Sequence, residues 1–235
     1  MELGKRAGYE TVFDDESMIV LVVPGRKDKC FVCFTGIGHQ LGGIDLQSPE
    51  FARSDGDETK IFIIDKHRSW GNNIDWKRLK VIVGAIVPDA QITTLGNSMG
   101  GFLAILSAPI LGAAQAIAFA PQWSIDPAIV PKEDRWLGYT RKIEQIHYPD
   151  LSEAAKSPSN IYVFFGQSGK DRIHKQKFEN AKIEPFVIHN CSHNVAGYLK
   201  EIGLLYSVIA ACREGGDVRA LITEANNHVM NASLM

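Results

Sequence analysis

Short apolar runs alternate along this chain with longer stretches whose apolar residues fall at helical spacing. Thr11–Phe13 and Met18–Val23 flank the polar Asp14-Asp15-Glu16-Ser17 and predict a hairpin. Six further runs follow: Cys30–Thr35, Lys60–Asp65, Gln91–Leu95, Gln115–Ala120, Asn160–Phe165 and Glu184–His189. Each is apolar on both faces and bounded by Gly, Asp, Asn or Pro, the pattern of parallel strands covered on both sides. Helices are expected between them. Ser48-Pro49-Glu50 has the form of a helix start, with a capping serine, a first-turn proline and an acid near the positive helix end. Asn73–Val87 carries an apolar stripe and stops at Pro88, Met99–Leu111 is apolar almost all round, and Arg172–Lys182 and Val195–Arg213 follow later strands. The expected class is α/β: a mostly parallel sheet of about seven or eight strands, helices on both faces, and an antiparallel hairpin at one edge.

One interval breaks the rhythm. Residues 122–159 hold no strand candidate, yet include Trp123, Trp136, Tyr139 and Tyr148. Such a length is unusual for a plain connection. It is read as a small helical insertion, a cap or lid over the carboxyl ends of the strands, within a single domain spanning 1–235. The C-terminal stretch 220–235 is weakly patterned and is left open between a packed helix and a protruding tail.

Composition narrows the function classes. The 25 Lys+Arg against 27 Asp+Glu give a formal net charge of -2, far from the positive balance that a phosphate backbone demands, so no nucleic-acid partner is expected. The longest apolar runs are too short to span a bilayer, and the N-terminal residues lack the apolar core of a signal peptide. A cytoplasmic location with no membrane partner is the expectation, with the four cysteines reduced. Cys30 and Cys33 sit three apart on a strand and so face opposite ways, which disfavours a redox or metal pair. His189, Cys191 and His193 crowd one segment too closely to close a tetrahedral metal site unaided. No metal and no cofactor is expected.

The segment that carries chemistry is Gly96-Asn97-Ser98-Met99-Gly100-Gly101, a G-x-S-x-G between a strand candidate and a helix candidate. A tight strand-to-helix turn needs a glycine two residues either side of the serine and thrusts the hydroxyl above the sheet. On these residues the chain resembles an α/β-hydrolase from about Met18 to Gly203. The resemblance implies the order serine, acid, histidine. Ser98 is then the nucleophile. Asp171 is the acid, in the loop after Asn160–Phe165, with Asp126 in reserve. His193 is the base, just past the last strand. It also implies an oxyanion hole of two backbone amides. One is that of Met99; the other, from the loop after Cys30–Thr35, is that of Ile37, with Gly38 as the alternative. Gly36, Gly38 and His39 of this loop, with Trp123 and Trp136 of the insertion, are the expected pocket residues. Asp65-Lys66-His67-Arg68-Ser69-Trp70 is similar to a loop-shaping segment of such hydrolases, so Asp65 and Arg68 are expected to be structural and Trp70 to lie near the pocket.

The activity implied is hydrolysis of a carboxylic ester or thioester of a small molecule through an acyl-enzyme. Two alternatives stay open: acyl transfer on the same three side chains, and a binding protein that retains the scaffold without catalysis. The pattern is also similar to small bacterial members of the superfamily that accompany polysaccharide assembly enzymes, which puts an acylated sugar among the candidate substrates. The oligomeric state is not legible.

Overall fold

The computed structural model describes residues 8–41, 44–52, 56–167, 169–189 and 191–232. Its strands are β1 (Glu10–Asp14), β2 (Met18–Val23), β3 (Arg26–Phe34), β4 (His39–Leu41), β5 (Ile44–Leu46), β6 (Glu58–Asp65), β7 (Gln91–Asn97), β8 (Gln115–Phe119), β9 (Asn160–Gly166) and β10 (Phe186–Ile188). Its helices are α1 (Trp76–Ile86), α2 (Met99–Leu111), α3 (Leu137–Thr140), α4 (Arg172–Asn180), α5 (Val195–Glu201), α6 (Leu205–Glu214) and α7 (Val218–Ala232). Eight strands form one sheet in the order β1-β2-β6-β3-β7-β8-β9-β10. The β1–β2 and β2–β6 pairs are antiparallel and every later pair is parallel.

The apolar runs fold this way because both faces of the sheet are covered. In β6, Ile61 and Ile63 enter one core while Phe62 and Ile64 enter the other; in β3, Val32 and Phe34 oppose Phe31 and Cys33. Leu79, Phe102 and Phe178, from α1, α2 and α4, close the first face, and Leu199, Val208 and Ile222, from α5, α6 and α7, close the second. Cys30 and Cys33 fall into different cores, and all four cysteines are buried, with no disulfide among the described residues. Among the described residues, no single helix is long and apolar enough to cross a membrane.

Three local expectations change, and one left open is resolved. No helix starts at Ser48: Ser48–Ala52 is irregular, Phe51 has a φ of 62°, and the Glu50 carboxylate accepts from Gly36 N–H (2.8 Å). That side-chain bond and the left-handed residue displace the helical turn. The segment after β3 is not all loop, because β4 and β5 pair antiparallel. The long helix expected over Val195–Arg213 is two, α5 and α6, bent by 109° where Gly203 takes a φ of 78°. Of the open C-terminal stretch, the described residues 220–232 are helical: α7 buries Val218, Ile222 and Ala225, and its Asn226 accepts from His189 N–H and donates to Val187 O. Residues 122–159 hold α3, a short 3-10 turn at Ala154–Lys156, an isolated antiparallel bridge between Ser124 and Asp150, and otherwise irregular structure.

The chain passes from β3 outward to β6 on one side, then crosses back to β7 on the other. In an open α/β sheet, such a reversal leaves a crevice at the carboxyl ends of the two strands. Phe34 pairs with Gly96, Asn97 with Phe119, and Phe119 with Phe164, so these ends lie level.

Candidate active site

Ser98 occupies the turn between β7 and α2 with φ 55° and ψ -118°, a conformation that costs a non-glycine residue roughly 1–3 kcal/mol. The turn is tight enough that a Cβ on Gly96 would lie 2.0 Å from Gly100 O, and one on Gly100 2.3 Å from Phe34 O. Ser98 N–H is fixed to Phe119 O at 2.8 Å. The hydroxyl therefore stands at the crevice, nearly covered, with 7% of the residue exposed.

Three distant segments meet at this hydroxyl. His193 Nε2 is 2.9 Å from Ser98 Oγ, and His193 Nδ1 is 2.8 Å from Asp171 Oδ2. Asp171 holds the position before α4, but its side chain makes no capping bond there and is spent on the site. Burial would raise the Asp171 carboxyl; the bond from His193 and the charge of Arg135 outweigh it and hold the group below the usual carboxylate range. Asp126, the reserve acid, instead accepts from Ala128 N–H.

Several neighbours have no signature in the one-dimensional pattern. Arg135 Nη1 donates to Asp171 Oδ1 at 2.7 Å. Its other nitrogens bind both oxygens of Glu133. Glu133 Oε2 also lies 2.7 Å from His174 Nε2, while His174 Nδ1 accepts from Trp123 N–H at 3.1 Å, so Nε2 carries the ring proton. Burial would raise the Glu133 carboxyl, but Arg135 and His174 drive it well below its ordinary value. Arg135 Nη1 is also 3.3 Å from His193 Nδ1. With Nδ1–H pointed at Asp171, both nitrogens bear protons, so they are neighbours and not partners. The Glu133 charge offsets that of Arg135, which leaves Asp171 as the net anion beside the imidazole.

On the other side of Ser98, Gln122 Nε2 donates to Oγ at 3.1 Å, and Gln122 Oε1 accepts from Trp70 Nε1, also at 3.1 Å. Gln122 and Trp70 are fully buried. The Trp70 backbone is held by the segment before it. Buried Asp65 accepts from the N–H groups of His67, Ser69 and Gly71 and from Ser69 Oγ. Arg68 Nε donates to Ile37 O at 2.9 Å, tying this segment to the loop after β3.

Met99 opens α2, and the N–H groups of a first helical turn have no acceptor within the helix. Ile37 is buried at the start of the loop after β3. A cavity of about 490 Å³ is lined by Gly36, Gly38, Glu50, Asn97, Asn194 and Lys200 among others, and so includes the residues next in sequence to Ser98 and His193 but not those two themselves. Burial pushes the Glu50 carboxyl up to about 7 despite its bond from Gly36. Trp136 lies with its ring centroid 6.3 Å from that of His193, and its Nε1 is buried without a partner among the described residues. Trp123 packs edge-on against Phe178 in the core. The His39 side chain lies outside the described residues. Among the described residues, no three His, Cys, Asp or Glu side chains cluster so as to hold a metal ion.

The sheet order, the strand–turn–helix at Ser98 and the helices on both faces are those of the α/β-hydrolase fold, and the chain has that fold. Several solved structures share this fold. The capsule O-acetyltransferase of Neisseria meningitidis serogroup A superposes with a TM-score of 0.59 at 17% identity, over 83% of this chain and 93% of that one. A carboxylesterase from Bacillus subtilis gives 0.54 at 14% identity, over 88% and 92%. An α/β serine hydrolase from Xanthomonas campestris gives 0.50 at 14% identity, over 89% and 94%. No protein-family model and no curated protein sequence matches the chain.

Proposed function

We propose that the protein is a serine hydrolase that cleaves a carboxylic ester or thioester of a small molecule through an acyl-enzyme. One observation carries the reading: the unbroken chain from Ser98 Oγ to His193 Nε2 and from His193 Nδ1 to Asp171, at 2.9 and 2.8 Å. His193 takes the hydroxyl proton as Oγ attacks the carbonyl carbon, and Asp171 steadies the imidazolium. The tetrahedral oxyanion is received by the amides of Met99 and Ile37. His193 then protonates the leaving group, and water, deprotonated by the same ring, releases the acid and restores Ser98. In this reading residues 122–159 act as the cap, and Trp136 and the glycines of the loop after β3 face substrate.

Replacing Ser98 or His193 by alanine is expected to abolish turnover of p-nitrophenyl acetate with the thermal unfolding midpoint kept. Turnover by a folded Ser98→Ala variant would end the proposal. Acyl transfer to an alcohol is the second reading, supported by the nearly covered Ser98 and by the likeness to an O-acetyltransferase. An added alcohol that accelerates p-nitrophenol release and emerges acylated favours transfer; insensitivity to the alcohol favours hydrolysis.

A further inference from the structure

Donor and acceptor roles around Ser98 are fixed from outside the expected three residues. An indole N–H only donates, so the atom of Gln122 that faces Trp70 Nε1 is its carbonyl oxygen. The amide nitrogen of Gln122 then faces Ser98, and it too only donates. Ser98 Oγ must accept there. Its single proton is left for His193 Nε2, whose ring then holds its own proton at Nδ1, toward Asp171. From Trp70 to Asp171, each group dictates the role of the next.

We propose that Gln122 is a further catalytic residue, a side-chain donor on the attacking oxygen itself, and that Trp70 is the positioning residue that sets it. The inference rests on the reading of Ser98 as nucleophile. In the first half-reaction, the Oγ–carbon bond forms and the Oγ proton passes to His193 Nε2. The Gln122 N–H stabilises the negative charge that Oγ carries while its proton is in transit, in a buried setting where such a bond is strong. In the second half, water adds to the acyl carbon, the Oγ–carbon bond breaks, and Oγ leaves, retaking its proton from His193. The same N–H then stabilises the departing oxygen. Trp70 prevents the carboxamide from turning its carbonyl to Ser98, where it would draw the hydroxyl proton away from the base.

The tests are Gln122→Met, which keeps length and removes the donor; Gln122→Glu, which keeps shape and places an acceptor on Oγ; and Trp70→Phe, which keeps a ring and removes the indole N–H. Two readouts are used with each: kcat and KM on p-nitrophenyl acetate, and the second-order rate of labelling by a fluorophosphonate, in which Oγ bonds to phosphorus and fluoride leaves. Gln122→Met is expected to lower kcat and the labelling rate about 30-fold with KM within about threefold, the signature of a bond used chiefly in the transition state. Trp70→Phe is expected to lower kcat about fivefold, because the amide is no longer oriented. Gln122→Glu is expected to be poorest at pH 8 and to gain on the wild type as pH falls toward 5, where the new carboxyl takes up a proton and becomes a donor. A purely structural role would not produce that gain. A folded Gln122→Met with more than half the wild-type rates, beside an inert Ser98→Ala, overturns this inference alone; so does a Gln122→Glu deficit that is the same at every pH. A Ser98→Ala variant that still labels overturns the reading beneath it. Should Gln122→Met fail to fold, the Gln122→Glu pH profile and Trp70→Phe decide.

Discussion

At the scale of single residues, the site is a run of buried groups with opposite charges adjacent. Arg135 stands between Glu133 and Asp171, with the Glu133 and Asp171 side chains 4% and 2% exposed. Removing one member of such a set leaves its partner charged and unpaired. Arg135→Met is therefore expected to cost about 3 kcal/mol of stability, read by urea denaturation. The double variant Glu133→Gln/Arg135→Met removes the stranded charge along with its partner, and should be more stable than Arg135→Met alone. A double variant whose loss equals the sum of the Arg135→Met and Glu133→Gln losses would show that the pair is not coupled. The sequence singles out Ser98, Asp171 and His193 because each follows a recognisable strand in the order the resemblance implies, and the structure brings their side chains into contact. It does not disclose Gln122, Glu133, Arg135 or His174. Three of these lie in 122–159, where no period of two or 3.6 assigns a side chain to a face, and His174 is one polar residue in a short helix. The one available hint is that Gln122 follows a central strand, at the sheet edge where ligands bind.

At the scale of elements, the strand–turn–helix at Ser98 is the most strongly determined unit. Its glycines are required by contact with backbone: a methyl at Gly100 would sit 2.3 Å from Phe34 O. Backbone cannot step aside as a side-chain end can, so Gly100→Ala is expected to displace α2 from β3. A clear fall in the thermal midpoint would show it, while a midpoint equal to wild type would contradict the packing described. The pattern located this unit because strand, glycines and apolar helix all agree. It failed at Ser48–Ala52 because a good capping sequence was outcompeted by the Glu50–Gly36 bond. It merged α5 with α6 because apolar periodicity runs on across Gly203 and does not register a bend.

At the scale of the whole molecule, the order of the strands puts the crevice between β3 and β7, and every loop that feeds the site leaves the sheet at that end. The shifted carboxylates are expected to give stability a two-sided pH dependence. Asp171 and Glu133 titrate below their unfolded values, so their stabilisation is complete above the ordinary carboxylate range, about pH 4, and is lost as pH falls further. Glu50 has the opposite sign. Its folded value of about 7 lies above the unfolded one, so the folded state holds the extra proton and stability declines as pH rises toward 7. Thermal midpoints of Glu50→Gln should therefore vary less between pH 5 and 8 than those of the wild type; an identical slope would refute the assignment. The central claim, that Ser98 is a nucleophile driven by His193 and Asp171, is tested most directly by treating the folded protein with a fluorophosphonate and mapping the adduct by mass. A single phosphonyl group on Ser98, absent in His193→Ala, is the expected result. An unlabelled protein, or a label on any other residue, would contradict it.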